Sequence, residues 1–169
     1  MKLNRRQFTF GALTSMLFIG WSCSKTTDLL GSLQDILKRV EATLTSLGLM
    51  TGLAADLIAE VAAYLSSVAQ FVDNVAKLLE DEALSIADKT KQILEWASGL
   101  NVPHVSNQAI QSLLMQIAAT VDKFLSFWKG TTPPEIKYTP DVHRYLSSIE
   151  SQAMADKHKV EEWEKAPKK

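Results

Sequence analysis

The sequence predicts an all-α protein, an antiparallel bundle of four to five amphipathic helices. Apolar residues recur at spacings of three and four along most of residues 29–165, which is the period of helices that bury one face. No sustained alternation of period two occurs, and there is no Asn-Gly or Asp-Gly hairpin turn. Glycine and proline stand where the apolar patterns stop, so we expect short connections between the helices.

Composition bounds the class of protein. The chain has 169 residues, of which 46% are hydrophobic and 22% charged, with a formal net charge of -1. One compact domain fits this length, and the apolar content excludes a disordered charged tail. The balanced charge gives no sign of nucleic-acid binding. A single cysteine excludes an intrachain disulfide and a thiolate zinc cluster.

The first helix of the bundle is expected after a short polar linker at residues 25–28, where Thr27 or Asp28 can cap it. Its apolar residues form one stripe with the charged residues off it, and Gly48 is the predicted end. The stripe consists of Leu30, Leu33, Leu37, Val40, Leu44 and Leu47.

The second helix carries two apolar rows, so we expect it to be central and buried on two sides. The rows are Leu57, Val61, Tyr64, Val68, Phe71, Val75 and Leu78, and Ile58, Leu65, Val72 and Leu79. The acidic triplet Glu80-Asp81-Glu82 then interrupts the pattern without glycine or proline. One helix of more than 40 residues and two separate helices both remain open.

Stop and start signals divide the rest of the chain. Gly99 and Pro103 end the segment that contains Ile93, and Ser106 is placed to cap the next helix, which Gly130 ends. Thr139-Pro140-Asp141 then combines a capping hydroxyl, proline in the first turn and an acid favoured by the helix dipole. The last two apolar stripes are Ile110, Leu114, Ile117, Val121, Phe124 and Trp128, and Val142, Leu146, Ile149, Ala153, Val160 and Trp163.

Residues 1–24 have the architecture of an export signal. Lys2, Arg5 and Arg6 precede the stretch 7–24, which contains no charged residue. Several polar residues interrupt this stretch, whereas a bilayer needs roughly 20 mostly apolar residues. A membrane-spanning anchor is therefore the weaker interpretation.

The arginine pair resembles the twin-arginine (Tat) export motif of bacteria. Arg5, Arg6 and Phe8 match that motif, in which two arginines are followed by any residue and then Phe. Its other positions are occupied by the atypical residues Asn4, Thr9 and Phe10. An ordinary Sec signal that contains two arginines by chance is the alternative.

Cys23 is the only cysteine and lies where the apolar run ends. Ser22-Cys23 resembles the end of the lipobox of bacterial lipoproteins, while Gly20 and Trp21 depart from that pattern. The resemblance implies cleavage before Cys23 and acylation of its thiol, which would tether the protein to a membrane. An incidental or buried cysteine is the alternative.

The resemblance implies a location as well as an organisation. It implies a protein exported to the periplasm or cell exterior, and Ser24 in place of aspartate suggests the outer membrane of a two-membrane organism. A cytoplasmic or inner-membrane protein that retains its N-terminal helix is the alternative. The divisions are a signal peptide over residues 1–22, a lipidated cysteine and linker over 23–28, the helical bundle over 29–165 and a frayed tail over 166–169.

Cleavage would change the charge of the chain. Without Lys2, Arg5 and Arg6, 15 of the 18 basic side chains remain against 19 acidic ones, a net charge of -4. Such a domain is not attracted to anionic headgroups, so the lipid would supply the attachment.

Residues suited to catalysis or metal binding are few, and we predict no catalytic residue, cofactor or metal site. No two histidines have i, i+4 spacing, and no Glu-x-x-His occurs. Phosphate-binding glycine loops and the Gly-x-Ser-x-Gly nucleophile motif are also absent from the sequence. The acidic runs at residues 80–82 and 161–164 fit a solvated surface better than an acid–base pair. The histidines are His104, His143 and His158.

Aromatic residues gather in the last third of the chain. They can fill one end of the core or line a pocket for an apolar ligand, and the core is the favoured interpretation. They are Phe124, Phe127, Trp128, Tyr138, Tyr145 and Trp163.

Three functions remain open. The favoured one is a non-enzymatic, lipid-anchored envelope protein that acts as a helical interaction or structural module. Its partner would be another protein of the envelope. A carrier of lipid or another apolar ligand would need a cavity of a few hundred Å³ lined by the apolar face of residues 57–79. An enzyme or redox protein is the weakest, since no cofactor ligands are evident in the sequence.

Overall fold

A computed structural model describes residues 10–130 and 132–167, with side chains from Lys25 onward. These residues form five helices and no strand. The helices are α1 (Phe10–Gly48), α2 (Ala55–Glu80), α3 (Ile86–Ser98), α4 (Gln108–Lys129) and α5 (Pro140–Lys165). The predicted all-α helical bundle is confirmed.

Among the described helices, α2 and α5 pack together more extensively than any other pair. Ser147 of α5 donates to Glu80 at the end of α2, and Lys157 donates to Gln70 earlier in α2. The two helices are therefore antiparallel. α1 packs against α2, α4 and α5, and the short α3 packs against α2 and α4.

The bundle has two ends, which we name after residues of α1. At the Thr26 end, the Thr26 hydroxyl lies 3.4 Å from the carbonyl oxygen of Glu135 in the connector between α4 and α5. At the Gly48 end, the last turn of α1 lies beside Trp163 of α5. Arg39 of α1 donates to Gln116 of α4 midway between the ends.

The core is built around α2, whose two apolar rows are both covered. Ile58, Leu65, Val72 and Leu79 are each at most 2% exposed, and most of the other row is buried as well. Across the core, the ring of Phe71 meets that of Phe124 edge to face, with centroids 6.1 Å apart. The prediction of a central helix buried on two sides is confirmed.

Most predicted helix ends are confirmed. α1 ends at Gly48, and Gly99 and Gly130 are the C-caps of α3 and α4. Thr139 caps α5, since its hydroxyl accepts from the backbone N–H of Val142 at 3.3 Å. Gly52, in the loop before α2, has a φ of +73°, a conformation that favours glycine.

The acidic triplet ends one helix rather than bending it. Asp81 Oδ1 accepts from the N–H of Ala83 at 2.9 Å, a local bond that competes with helix continuation. Ser85 then caps α3 by accepting from the N–H of Asp88 at 3.2 Å. The pattern therefore belongs to two helices, α2 and α3.

Two predicted starts differ from the structure. The cap of α4 is Asn107, not Ser106, because the Asn107 side chain accepts from the N–H groups of Ala109 and Ile110. α1 also runs through residues 25–28 without a break, so it does not begin at Thr27 or Asp28. This segment contains no glycine or proline, and nothing in it stops a helix.

Among the described helices, α2 is long and apolar enough to cross a membrane. Half of its most apolar window is buried inside the bundle, and Asp73 lies within the helix. A helix at the centre of a bundle needs the same length and composition. The packing of α2 in the bundle therefore explains its length and its apolar composition.

Leu65→Ala should lower the free energy of unfolding by about 2–5 kcal/mol, because the fully buried Leu65 leaves a cavity when it is truncated. Chemical denaturation followed by circular dichroism measures this. Leu49→Ala is the matched control, since Leu49 is 81% exposed, and should change stability by less than about 0.5 kcal/mol. Equal losses in the two variants would contradict the assignment of α2 to the core.

Candidate functional site

The residues of the predicted export signal lie at the edge of the structure. Arg5, Arg6 and Phe8 fall outside the described residues, and so does the side chain of Cys23. The backbone at position 23 belongs to α1, three residues before Thr26. The predicted lipid attachment therefore adjoins the Thr26 end of the bundle.

The three histidines are exposed and are not brought together. His104 lies in the loop before α4, and His158 Nε2 is 3.2 Å from Glu162 Oε1 on the same helix. Within the described part of the chain, no group of three His, Cys, Asp or Glu side chains is arranged to hold a metal ion.

A polar cluster joins the start of α5 to the end of α2. His143 Nδ1 lies 2.9 Å from the Tyr138 hydroxyl and 3.2 Å from Glu80 Oε1. Ser147 donates to the same carboxylate oxygen at 3.2 Å. Burial and the negative charge of Glu80 raise the pKa of Tyr138, which keeps its hydroxyl protonated.

The order of these contacts does not activate a nucleophile. A catalytic serine gives its proton to an imidazole that a carboxylate orients. Here Ser147 bonds to the carboxylate of Glu80, and the imidazole of His143 contacts Tyr138 and Glu80 rather than the serine. The cluster links the connector, α2 and α5.

Two clefts occupy opposite ends of the bundle. The cleft at the Thr26 end has a volume of about 240 Å³ and includes Leu79, Trp128 and Ile136. Lys89 also lines it and donates to the carbonyl of Leu79 at 3.2 Å, and burial lowers the pKa of this amine. The cleft at the Gly48 end, of about 340 Å³, includes Trp163.

The aromatic residues do not form one pocket. Phe124 and Trp128 are buried in the core, which the favoured interpretation predicted. Tyr138 lines the cleft at the Thr26 end, and Trp163 lines the one at the Gly48 end. The apolar face of α2 contributes only its terminal residues to these clefts, because its middle is covered by other helices.

A wide groove of about 620 Å³ separates the outer faces of α1 and α4. Its basic residues are Lys38, Arg39 and Lys123, opposed by Asp35. Lys38 lies 3.7 Å from Asp35, and Arg39 is bonded to Gln116 at 3.0 Å, so two of the three cations already have a partner.

A second groove follows the outer face of α2, and we call it the α2 groove. It consists of two adjoining clefts of about 470 and 360 Å³ that share Ser67 and Gly99. Small residues of α2 form its floor, while Trp96 and the loop after α3 form one wall. Lys157 of α5 closes the opposite side.

Tyr64 lies at one end of the α2 groove and remains a hydrogen-bond donor across the physiological range. Burial, with a further contribution from the negative charge of Asp122, raises the pKa of Tyr64 to about 12. The groove can therefore offer neutral hydroxyl and amide groups, together with an aromatic wall, to a ligand.

Two buried carboxylates were missed by the sequence analysis. Asp73 and Asp156 are each 1% exposed, and one oxygen of each has no described partner. The other oxygens lie 2.9 Å from Lys77 and 3.4 Å from Lys159, respectively. Asp156 stands three residues after Ala153 and four before Val160, so the spacing of the α5 stripe could have revealed it.

Comparison with protein families, with curated proteins and with solved structures finds no significant match. The site is therefore interpreted from its own residues.

Asp156→Asn should stabilise the protein at neutral pH. Burial raises the pKa of Asp156 above its ordinary value of 3.8, with Lys159 opposing this shift. Since the folded protein favours the protonated acid, this contribution to stability is present below the ordinary pKa and is lost as the pH rises through the raised pKa. Thermal unfolding of both proteins from pH 3 to pH 8 measures the difference.

The melting temperature of Asp156→Asn should exceed that of the native protein at pH 7, and the difference should shrink toward pH 3. Lys159 keeps a partner in the variant, because its amine lies 2.8 Å from Glu41. Asp35→Asn, at a half-exposed site, is the control and should show little change. A lower melting temperature for Asp156→Asn at pH 7 would contradict this account.

Proposed function

We propose that this protein is a non-enzymatic, lipid-anchored envelope protein that acts as a helical interaction module. A Tat-type signal directs its export, acylated Cys23 attaches it to the membrane, and its grooves face the periplasm or cell exterior. An outer-membrane location follows from Ser24 where the organism has two membranes. Its partner is another component of the cell envelope.

The observation that carries the proposal is that side chains fill the core of the bundle, whereas grooves lie on its sides. Leu65, Val68 and Val72, on the core-facing side of α2, are fully buried. The larger grooves lie on the sides of the bundle and not between its core helices. This arrangement supports surface recognition over the transport of an apolar ligand in the core.

The position of Cys23 supports the tether. Thr26 lies against the connector at one end of the bundle, and Cys23 precedes it by three residues. A lipid on Cys23 would hold the bundle by that end, while the sides of the helices remain accessible.

Intact-mass measurement of the natively expressed protein should give a chain that lacks residues 1–22 and carries added acyl groups. The membrane fraction should contain this form, because several acyl chains on one residue provide stable attachment. Cys23→Ser should remove the acyl mass and release the protein from the membrane, whereas Ser24→Ala should do neither. Replacing Arg5 and Arg6 by lysine should block export only if the Tat pathway is used.

An unprocessed chain with a free Cys23 thiol would overturn the lipid anchor. Mass spectrometry of lipids that copurify with the Cys23→Ser variant tests the alternative function. The interaction module predicts no stoichiometric lipid, and one tightly held lipid per chain would favour the carrier.

A further inference from the structure

The exposed face of α2 is unusual because it carries no charge over most of its length. Between Glu60 and Lys77 the one charged residue of the helix is Asp73, and this side chain is buried. Solvated helix faces commonly carry lysine and glutamate. Here Ala63 and Ser67 are exposed instead. Because their side chains are short and uncharged, the floor of the α2 groove carries neither bulk nor charge at these positions.

Gln70 is held in one orientation at the middle of the groove. Lys157 of α5 donates to its Oε1 at 2.9 Å. Its amide nitrogen donates to Asn74 Oδ1 at 3.0 Å and lies 3.3 Å from Asp73 Oδ2. These bonds position neighbouring polar groups before any ligand binds, which reduces the entropy lost on binding.

Several polar groups of the groove retain hydrogen-bonding capacity. The Asn74 amide nitrogen and the Ser66 hydroxyl have no partner among the described residues. Ser67 donates to the carbonyl of Ala63 at 2.8 Å, so its oxygen can still accept. His104 contributes ring nitrogens at one end. Donors and acceptors therefore alternate with the partly buried ring of Trp96.

This chemistry selects one class of ligand. An anionic ligand would need a cluster of cations, but Lys157 is one of few basic groups here and is bonded to Gln70. A purely apolar ligand would leave the Asn74 amide and the Ser66 hydroxyl of this groove without hydrogen-bond partners. A peptide that binds by adding a β-strand would need a strand edge, whereas the described elements are helices. Neutral hydroxyl groups match the amides and hydroxyls that remain.

We propose that the α2 groove binds a neutral oligosaccharide. One sugar ring lies against Trp96, and its hydroxyl or acetamido groups bond to Asn74 and Ser66. The groove follows α2 from Glu60 to Asn74, about 21 Å along the helix axis, which accommodates several rings. The inference deepens the proposed function, since export would place the groove among the glycans of the envelope.

The test is binding of chitotetraose, a neutral oligomer of N-acetylglucosamine, to the full natively expressed protein in detergent, measured by isothermal titration calorimetry. Ser67→Arg places a long side chain over the floor from an exposed position and should weaken binding at least tenfold. Ser112→Arg, on the exposed face of α4 outside the groove, is the matched control and should bind as the native protein does. Trp96→Ala should also weaken binding at least tenfold.

Thermal melts identify any variant that has lost its fold. If Trp96→Ala is unfolded, the binding measured for Ser67→Arg tests the proposal. A hyaluronan tetrasaccharide, which carries N-acetylglucosamine with carboxylates, should bind more weakly than chitotetraose. Absence of saturable binding at millimolar chitotetraose, equal binding by Ser67→Arg, or preference for hyaluronan or an acidic peptide would overturn the proposal. These titrations do not depend on the acyl group, so a failed lipid anchor and a failed groove are distinguishable.

Discussion

The packing of α5 on α2 is the contact on which the rest of the bundle depends. α2 is apolar on two sides, so a single neighbouring helix cannot cover it. α1 covers one side, and the buried residues of α5, among them Leu146, Ile149 and Val160, cover the other. α4 adds Phe124 against Phe71 to close the interior. The surfaces that we propose as functional are the grooves on the outer faces of the helices.

Polar contacts along this helix pair set its register. The pairs occur in reverse order along α2 and α5: Glu80 with Ser147, Lys77 with Glu150, and Gln70 with Lys157. Each of these contacts is worth only about 0.2–1 kcal/mol, but a shift of one helical turn would separate all of them. Gln70 belongs both to this series and to the α2 groove. The groove thus inherits its geometry from the register of the bundle.

The helices and most of their ends are readable in the sequence, whereas the grooves are not. The stripe from Leu30 to Leu47 stops at Gly48, where helix α1 also ends, because glycine is a local signal for the end of a helix. The cap at Asn107 in place of Ser106 reflects two adjacent residues with similar capping ability. The α2 groove also depends on Trp96 of α3 and Lys157 of α5, which no local pattern brings together with α2.

The separation of α2 and α5 along the chain has a consequence for biosynthesis. About 60 residues lie between the end of α2 and the start of α5. At translation rates of about 5–20 residues per second, α2 emerges several seconds before the helix that covers it. A nascent chain in that interval presents aliphatic surface to the cytosol. The protein is therefore most prone to aggregation at this stage, before its release from the ribosome. This is the stage at which chaperones would protect it.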